Sequence, residues 1–85
     1  MHKEFIPYEQ ILELKELGFN GILWQEVFRW FREKHLFGHC INPYTMDSHI
    51  IDIRNCKIYY ISEVYTYEEA ELDCLKKLIE IVKNK

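Results

Sequence analysis

Apolar residues recur along this chain with helical spacing toward both ends and with strand-like alternation in the middle. The clearest helical pattern lies near the C-terminus, where Thr66 can cap a helix and Glu69, three residues later, completes a capping box. Acidic residues occupy the first turns and lysines the last, which complements the helix dipole. These features predict a helix over residues 66–83, with an apolar arc wide enough to cover a sheet. The arc consists of Tyr67, Ala70, Cys74, Leu75, Leu78, Ile79, Ile81 and Val82.

Two further helices are predicted in the first half of the chain. Pro7 suits the first position of a helix over residues 7–17, and Gly18 favours the left-handed conformation that ends such a helix. Asn20 is a suitable cap for a second helix, predicted over residues 21–36. The apolar face of this second helix holds Trp24, Val27, Phe28, Phe31 and His35. Its aromatic residues are expected to form the centre of the core.

The middle of the chain has the alternation of β-strands, predicted over residues 39–44, 49–54 and 57–64. A two-residue loop between the last two strands would place Ile51 opposite Tyr60, and this pairing fixes the two faces of the hairpin. The face expected beneath the helices holds Ile51, Ile53, Ile58, Tyr60 and Val64. The face expected to remain open holds Ile50, Asp52, Arg54, Lys57, Tyr59 and Ile61.

Together these elements predict one α+β domain over residues 1–85, in the order helix, helix, three-stranded antiparallel sheet, helix. The apolar residues on the second sheet face need cover, and two explanations remain open. The first helix folds over them in an α/β/α sandwich, or they form a protein interface, such as that of a two-fold homodimer. The candidate interaction face comprises Tyr44, Ile50, Arg54, Lys57, Tyr59 and Ile61.

Composition narrows the functional classes. A net charge of -3 at pH 7 does not favour a polyanionic partner, and residues 63–73 hold five acids and no base. No apolar segment has the length of a membrane span, and the first ten residues lack the apolar core of a signal peptide. We therefore expect a cytoplasmic protein that does not enter membranes. The three cysteines have no paired spacing and are expected to be reduced, mostly buried thiols.

No catalytic, metal or cofactor motif is present in the sequence. There is no glycine-rich phosphate loop, nucleophile elbow or paired-cysteine zinc pattern. The best metal candidates are His35, His39, Cys40, His49 and Cys56. A zinc site is disfavoured there, because Gly38 breaks the helix between His35 and His39 and because the adjacent His39 and Cys40 point to opposite faces of a strand. The sequence therefore predicts a protein that is not an enzyme, with no catalytic residue, no metal and no cofactor.

Two stretches carry a resemblance to a known group of proteins. The runs Trp30-Phe31-Arg32-Glu33-Lys34 and Thr66-Tyr67-Glu68-Glu69-Ala70-Glu71-Leu72, the latter continuing from Cys74 to Lys83, resemble small proteins from phages, prophages and mobile elements of gut Bacteroidales. The segment from Tyr8 to Phe19 fits the same group. The resemblance implies a phage or mobile-element origin and supplies no site residues, because no activity is established for that group.

The order of elements also resembles the double-stranded RNA-binding domain, in which a three-stranded antiparallel sheet carries two helices on one face. That family has small and apolar residues where Ala70, Cys74, Leu75, Leu78 and Ile79 stand here. It also presents lysines at the start of its last helix, whereas Tyr67, Glu68 and Glu71 occupy the matching positions in this chain. Carboxylates there would repel the RNA backbone. The resemblance therefore implies the fold and disfavours the binding of duplex RNA.

The sequence does not establish a function. The main expectation is a non-enzymatic protein-interaction module that binds a protein partner or associates with itself. The alternative is a nucleic-acid-binding module of similar topology. It would use the basic residues Arg54 and Lys57 together with Tyr44 and Tyr59.

Overall fold

The structure, a computed structural model, describes residues 5–42, 44–45, 47–61 and 66–84. Its helices are α1 (Tyr8–Leu17), α2 (Trp24–Lys34) and α3 (Tyr67–Lys83), and its strands are β1 (Phe37–Ile41), β2 (Ser48–Asp52) and β3 (Lys57–Ile61). The order α-α-β-β-β-α confirms the predicted α+β class. No helix among these residues is long and apolar enough to cross a membrane.

The three strands form one antiparallel sheet in the order β1-β2-β3, and all helices lie on one side of it. Ile50 at the centre of β2 stands opposite His39 of β1 and Tyr59 of β3. Helices α2 and α3 pack against the sheet, while α1 packs against α3. The smallest dimension of the molecule, 18 Å, corresponds to two layers. The layout is thus compatible with a double-stranded RNA-binding domain. The sandwich alternative requires α1 on the side of the sheet opposite the other two helices, but α1 lies in the same layer as they do.

The core lies between the helices and the sheet. As predicted, α2 buries Trp24, Val27, Phe28 and Phe31, and α3 buries Ala70, Cys74, Leu75, Leu78 and Ile79. From the sheet, Phe37 and Ile50 are the fully buried large side chains, and Leu14 joins them from α1. A small domain of this kind depends on such side chains, because each contributes about 1.5–3 kcal/mol when it is removed from water.

Two helix ends have the predicted caps. The Thr66 hydroxyl oxygen accepts a hydrogen bond of 3.1 Å from the backbone N–H of Glu69. Gly18 adopts a left-handed conformation (φ 105°), and the N–H of Phe19 donates to the carbonyl of Leu14 at 2.9 Å. This pair of features is a Schellman motif, which satisfies carbonyl groups at the end of α1.

Helix α2 is shorter at both ends than the sequence predicts. It begins after Leu23, and Asn20 is not its cap, because the segment before α2 instead pairs with the start of the chain: Ile6 N–H donates to the Ile22 carbonyl at 2.9 Å. At the other end, Leu36 adopts a left-handed conformation (φ 58°) that stops the helix. Strand β1 therefore begins at Phe37, two residues before the predicted start.

The β2–β3 hairpin has a longer turn than predicted. Residues 53–56 form a four-residue turn in which Cys56 is left-handed (φ 61°), and its N–H donates to the Asp52 carbonyl at 2.7 Å. His49, rather than Ile51, consequently stands opposite Tyr60. The register differs from the predicted one by two residues, so the grouping of side chains into two faces is unchanged.

The orientation of these faces is the main correction to the sequence prediction. Ile50 is fully buried, and Tyr59 and Ile61 pack against the core, so the face predicted to be open lies beneath the helices. The face predicted to be covered is open. Strand β1 explains the difference, because Phe37 and Ile41 lie on the same face as Ile50 and make it the more apolar of the two. Residues 62–65, with the predicted positions of Val64 and Glu63, lie outside the described residues.

Candidate functional site: the open face of the sheet

The structure distributes the six predicted interface residues over three environments. Ile50 is buried beneath the helices, and the half-buried Tyr59 and Ile61 pack against the same core, on the side of the sheet that carries the helices. Tyr44 is 93% exposed in the turn between β1 and β2, away from them. Arg54 and Lys57 lie at the β2–β3 turn, where both are engaged in contacts within the chain.

Asp52 and Arg54 form a closed polar unit at the end of β2. The Asp52 side chain is buried, and the Arg54 guanidinium donates to both carboxylate oxygens, with Nε to Oδ1 at 3.1 Å and Nη2 to Oδ2 at 3.2 Å. The hydrogen bond to Asp52 raises the pKa of Arg54 above its usual value. The guanidinium also lies 5.6 Å from the centre of the Phe37 ring. This pairing explains how an acidic residue occupies the core face of the sheet, since a buried carboxylate requires a charged partner.

Lys57 is engaged in a similar way. Its Nζ lies 4.9 Å from the centre of the Tyr59 ring, a cation–π contact on the core side of the sheet. Arg54 and Lys57 therefore do not line the open face, and the predicted nucleic-acid surface of two bases with neighbouring tyrosines is not assembled there.

The face of the sheet that is open in the structure, called the open face, consists of Gly38, Cys40, His49, Ile51, Ile53, Ile58 and Tyr60. No described helix or loop covers it. Tyr60 is 80% exposed, Ile53 46% and Ile58 43%, whereas Ile51 is half-buried by its neighbours in the sheet. Three large side chains exposed on one face of the sheet make this face a candidate contact surface.

One end of the open face is aliphatic. Ile51 stands opposite both Gly38 and Ile58. A Cβ atom at Gly38 would lie 3.2 Å from Cγ2 of Ile51 and 4.0 Å from Cδ1 of Ile53. The missing side chain at Gly38 therefore lets these isoleucines lie across β1 and gives this end a smooth apolar surface.

The other end of the open face is aromatic. The rings of His49 and Tyr60 are 6.2 Å apart at an angle of 56°, and Cys40 stands beside His49 in the register. No aspartate, glutamate, lysine or arginine occupies an open-face position in the three strands. The open face is therefore apolar and carries no formal charge from these residue types.

Sequence reasoning missed the β1 contribution to this site. The predicted first strand starts at residue 39 and excludes Gly38, and the predicted faces of the hairpin do not take β1 into account. The signal that identifies the correct orientation is the alternation of Phe37, His39 and Ile41 against Gly38 and Cys40. Once β1 is aligned with β2, Phe37 and Ile41 select the face of Ile50 for the core.

The cysteines are less buried than predicted. All three are free thiols, but Cys40 and Cys56 are exposed and only Cys74 is buried. Burial raises the pKa of the Cys74 thiol to about 11, and the neighbouring Ser48 hydroxyl opposes that rise. Cys74 is thus a packing residue with little thiolate character at neutral pH. Within the described ranges, no group of three or more histidine, cysteine or acidic side chains could hold a metal ion.

The geometry of the open face is suited to binding another surface by contact, and its register places Cys40 opposite His49. Comparison with protein-family models, with curated proteins and with solved structures finds no match to this chain.

Proposed function

We propose that this domain is a non-enzymatic protein-interaction module whose partner is a second copy of the same chain. The two copies would meet through their open faces about a two-fold axis. The observation that carries the proposal is the group of Ile53, Ile58 and Tyr60, which are large, apolar and exposed together on an uncovered sheet face.

Sheet geometry supports contact between two such faces. Antiparallel sheets pack face to face at a distance of about 10 Å, with side chains from both inner faces interdigitated. At the aliphatic end β1 has no side chain of its own at Gly38, so a partner surface can closely approach Ile51 and Ile53, which lie across this position. Burial of the exposed parts of Ile53 and Ile58 would provide the driving force.

Charge favours a second copy over other partners. Two identical charged surfaces repel each other, but an open face without aspartate, glutamate, lysine or arginine in its strands meets its own copy without repulsion between such charges. The same property offers nothing to attract a strongly basic or acidic partner. Self-association is therefore the simplest way to cover this surface.

The size of the open face determines how tightly two copies of the domain are expected to associate. Three strands of five residues each span about 240 Å² in projection. A stable interface buries about 800 Å² on each partner. We therefore expect a weak, reversible dimer that forms at high protein concentration.

Sedimentation velocity over a range of protein concentrations tests this proposal. The wild-type protein is expected to shift from monomer toward dimer as concentration rises, and Ile58→Lys is expected to remain monomeric because it places a charge in the interface. Leu12→Lys is the matched control, since Leu12 of α1 is 45% exposed, close to the 43% of Ile58, but lies in the helical layer. A monomer at every concentration, or a dimer that only Leu12→Lys disrupts, would overturn the proposal.

The exposed cysteines provide an independent measurement. Cys40 belongs to the open face, while Cys56 lies in the β2–β3 turn. Alkylation of Cys40 is expected to slow as protein concentration rises, whereas Cys56 reacts at a constant rate. Equal protection of both thiols would place the contact elsewhere on the molecule.

A cytoplasmic location is part of the same proposal. Two exposed free thiols support it, because such thiols persist in reducing compartments and are oxidised outside them. The proposed origin in phages or mobile elements is supported by the sequence resemblance alone. Nucleic-acid binding is not favoured by any observed contact, since Arg54 and Lys57 are both engaged within the chain.

A further inference from the structure

A cleft of about 540 Å³ lies in the helical layer, between α2, the middle of β1 and the start of α3. Its volume is within the range of small-molecule sites, about 300–1,000 Å³. The cleft is separate from the open face, which lies on the other side of the sheet. The residues that matter for its chemistry are Trp24, Phe28, Arg29, Arg32, His39 and Glu71.

One wall of the cleft is a stack of aromatic rings. The Trp24 and Phe28 rings are 5.9 Å apart and nearly parallel, at 21°. The imidazole of His39 continues the stack on Phe28, with a centroid distance of 3.8 Å and an angle of 15°. Trp24 and Phe28 are only 9% and 7% exposed, and His39 covers one face of Phe28, so the stack presents ring edges to the cleft. A flat ligand would pack against these edges in the edge-to-face arrangement that aromatic groups favour.

The polar side of the cleft is cationic. Arg29 and Arg32 are exposed, stand one turn apart on α2, and make no ion pair with a carboxylate of the described residues. Burial and the nearby Arg32 both lower the pKa of His39, so the imidazole adds no charge at neutral pH. Glu71 of α3 also lines the cleft and would repel an anion, which directs a ligand carboxylate toward the α2 side.

We propose that this cleft binds a small planar aromatic carboxylate. The ring lies along the wall formed by Trp24 and Phe28, and the carboxylate accepts hydrogen bonds from the guanidinium groups of Arg29 and Arg32. Arginine forks match the geometry of a carboxylate and form stronger hydrogen bonds with it than neutral donors do. The site requires both parts, because neither a ring nor a charge alone uses the whole cleft.

Titration followed by nitrogen-15 NMR tests the proposal, with benzoate, benzyl alcohol and acetate as probes up to about 10 mM, where millimolar affinities are visible. The indole N–H of Trp24 reports on the cleft. The indole of Trp30 is an internal control, since it packs against Phe19 and His35. Benzoate is expected to shift the Trp24 signal and leave that of Trp30 unchanged, while benzyl alcohol and acetate produce much smaller shifts.

Variants of the two arginines separate binding from folding. Arg29→Gln and Arg32→Gln are each expected to weaken benzoate binding by about tenfold, the equivalent of one charged hydrogen bond. Lys34→Gln is the control, because it removes a positive charge from the same helix outside the cleft. Absence of a Trp24 shift with benzoate would overturn the proposal. Binding that survives both arginine substitutions, or that acetate or benzyl alcohol reproduces, would do the same.

Discussion

The adjacent residues Ile50 and Ile51 of β2 provide a direct test of how the sheet faces the helices. Their side chains have the same composition and point to opposite faces. Ile50 is fully buried beneath α2 and α3, whereas Ile51 is half-buried on the open face. Replacement of each by alanine therefore makes the same chemical change in two different environments.

The structure predicts a large difference between the two variants. Ile50→Ala removes three buried carbon atoms, worth about 2.4 kcal/mol of transfer free energy, and leaves a cavity that raises the total loss to about 3–4 kcal/mol. Total stability for a chain of 85 residues is about 4–13 kcal/mol. The expected fall in melting temperature is about 12–30 °C. Ile51→Ala is expected to lose about 1 kcal/mol or less.

Urea unfolding followed by circular dichroism measures both losses. The experiment requires a low protein concentration, at which the proposed dimer does not contribute to the stability of either variant. A greater loss of stability for Ile51→Ala than for Ile50→Ala would show that the sheet presents the other face to the helices. Equal losses would show that both faces are covered, as in a sandwich.

Three further predictions follow from buried groups and surface charge. Acidification below about pH 6.5 should destabilise the protein, because burial lowers the pKa of His39 and the unfolded chain therefore binds a proton that the folded chain does not. His39→Phe should flatten this part of a profile of melting temperature against pH. Identical profiles for the variant and the wild type would refute the role of His39. Ser48→Ala should raise the free energy of unfolding in urea by about 1 kcal/mol, because the buried hydroxyl has no hydrogen-bond partner of good geometry. A lower free energy of unfolding would mean that the interaction of this hydroxyl with Cys74 is stabilising. Fluorescence anisotropy with labelled duplex RNA, duplex DNA and single strands should show no binding at low salt, because Glu68 and Glu69 place carboxylates at the start of α3. Binding that weakens steeply as the salt concentration rises would contradict the expected repulsion of nucleic acid.

The helices were predictable because their determinants are local. The Thr66 cap, the left-handed Gly18 and the apolar face of α2 all depend on residues within a few positions of one another. Helical periodicity also selects the side chains that reach the core, and α3 buries residues of the predicted arc. For these elements the sequence pattern and the packing agree.

The orientation of the sheet was not predictable from the hairpin alone. Its two faces have similar numbers of isoleucine and tyrosine residues, so β1 decides between them. The helical pattern runs through residue 36, but Leu36 turns left-handed and releases Phe37 into the strand. A leucine in that conformation has an unfavourable local energy, and it is held by the N–H of Ile53, distant in sequence, which donates to the Leu36 carbonyl at 2.9 Å.

Three charged residues of the hairpin also make the orientation of the sheet hard to predict. Asp52, Arg54 and Lys57 indicate a solvated face when each is considered separately. In the structure the four-residue turn brings Arg54 back onto Asp52, and Lys57 lies over Tyr59, so the charges are satisfied at the border of the core. The length of that turn, which the sequence pattern does not specify, thus determines whether this polar unit can form.

The position of α1 implies an order in which the domain opens. This helix rests on α3 and is anchored by Leu14 and by the ion pair between Glu13 and Lys83, which are 3.1 Å apart and partly exposed. Strand β2, in contrast, has a hydrogen-bonded neighbour on each side and α3 above it. Amide hydrogens of α1 should therefore exchange with solvent through a local fluctuation, while those of β2 exchange only when the whole domain unfolds. The first helix is thus expected to open before the more persistent α-β-β-β-α body on which it rests.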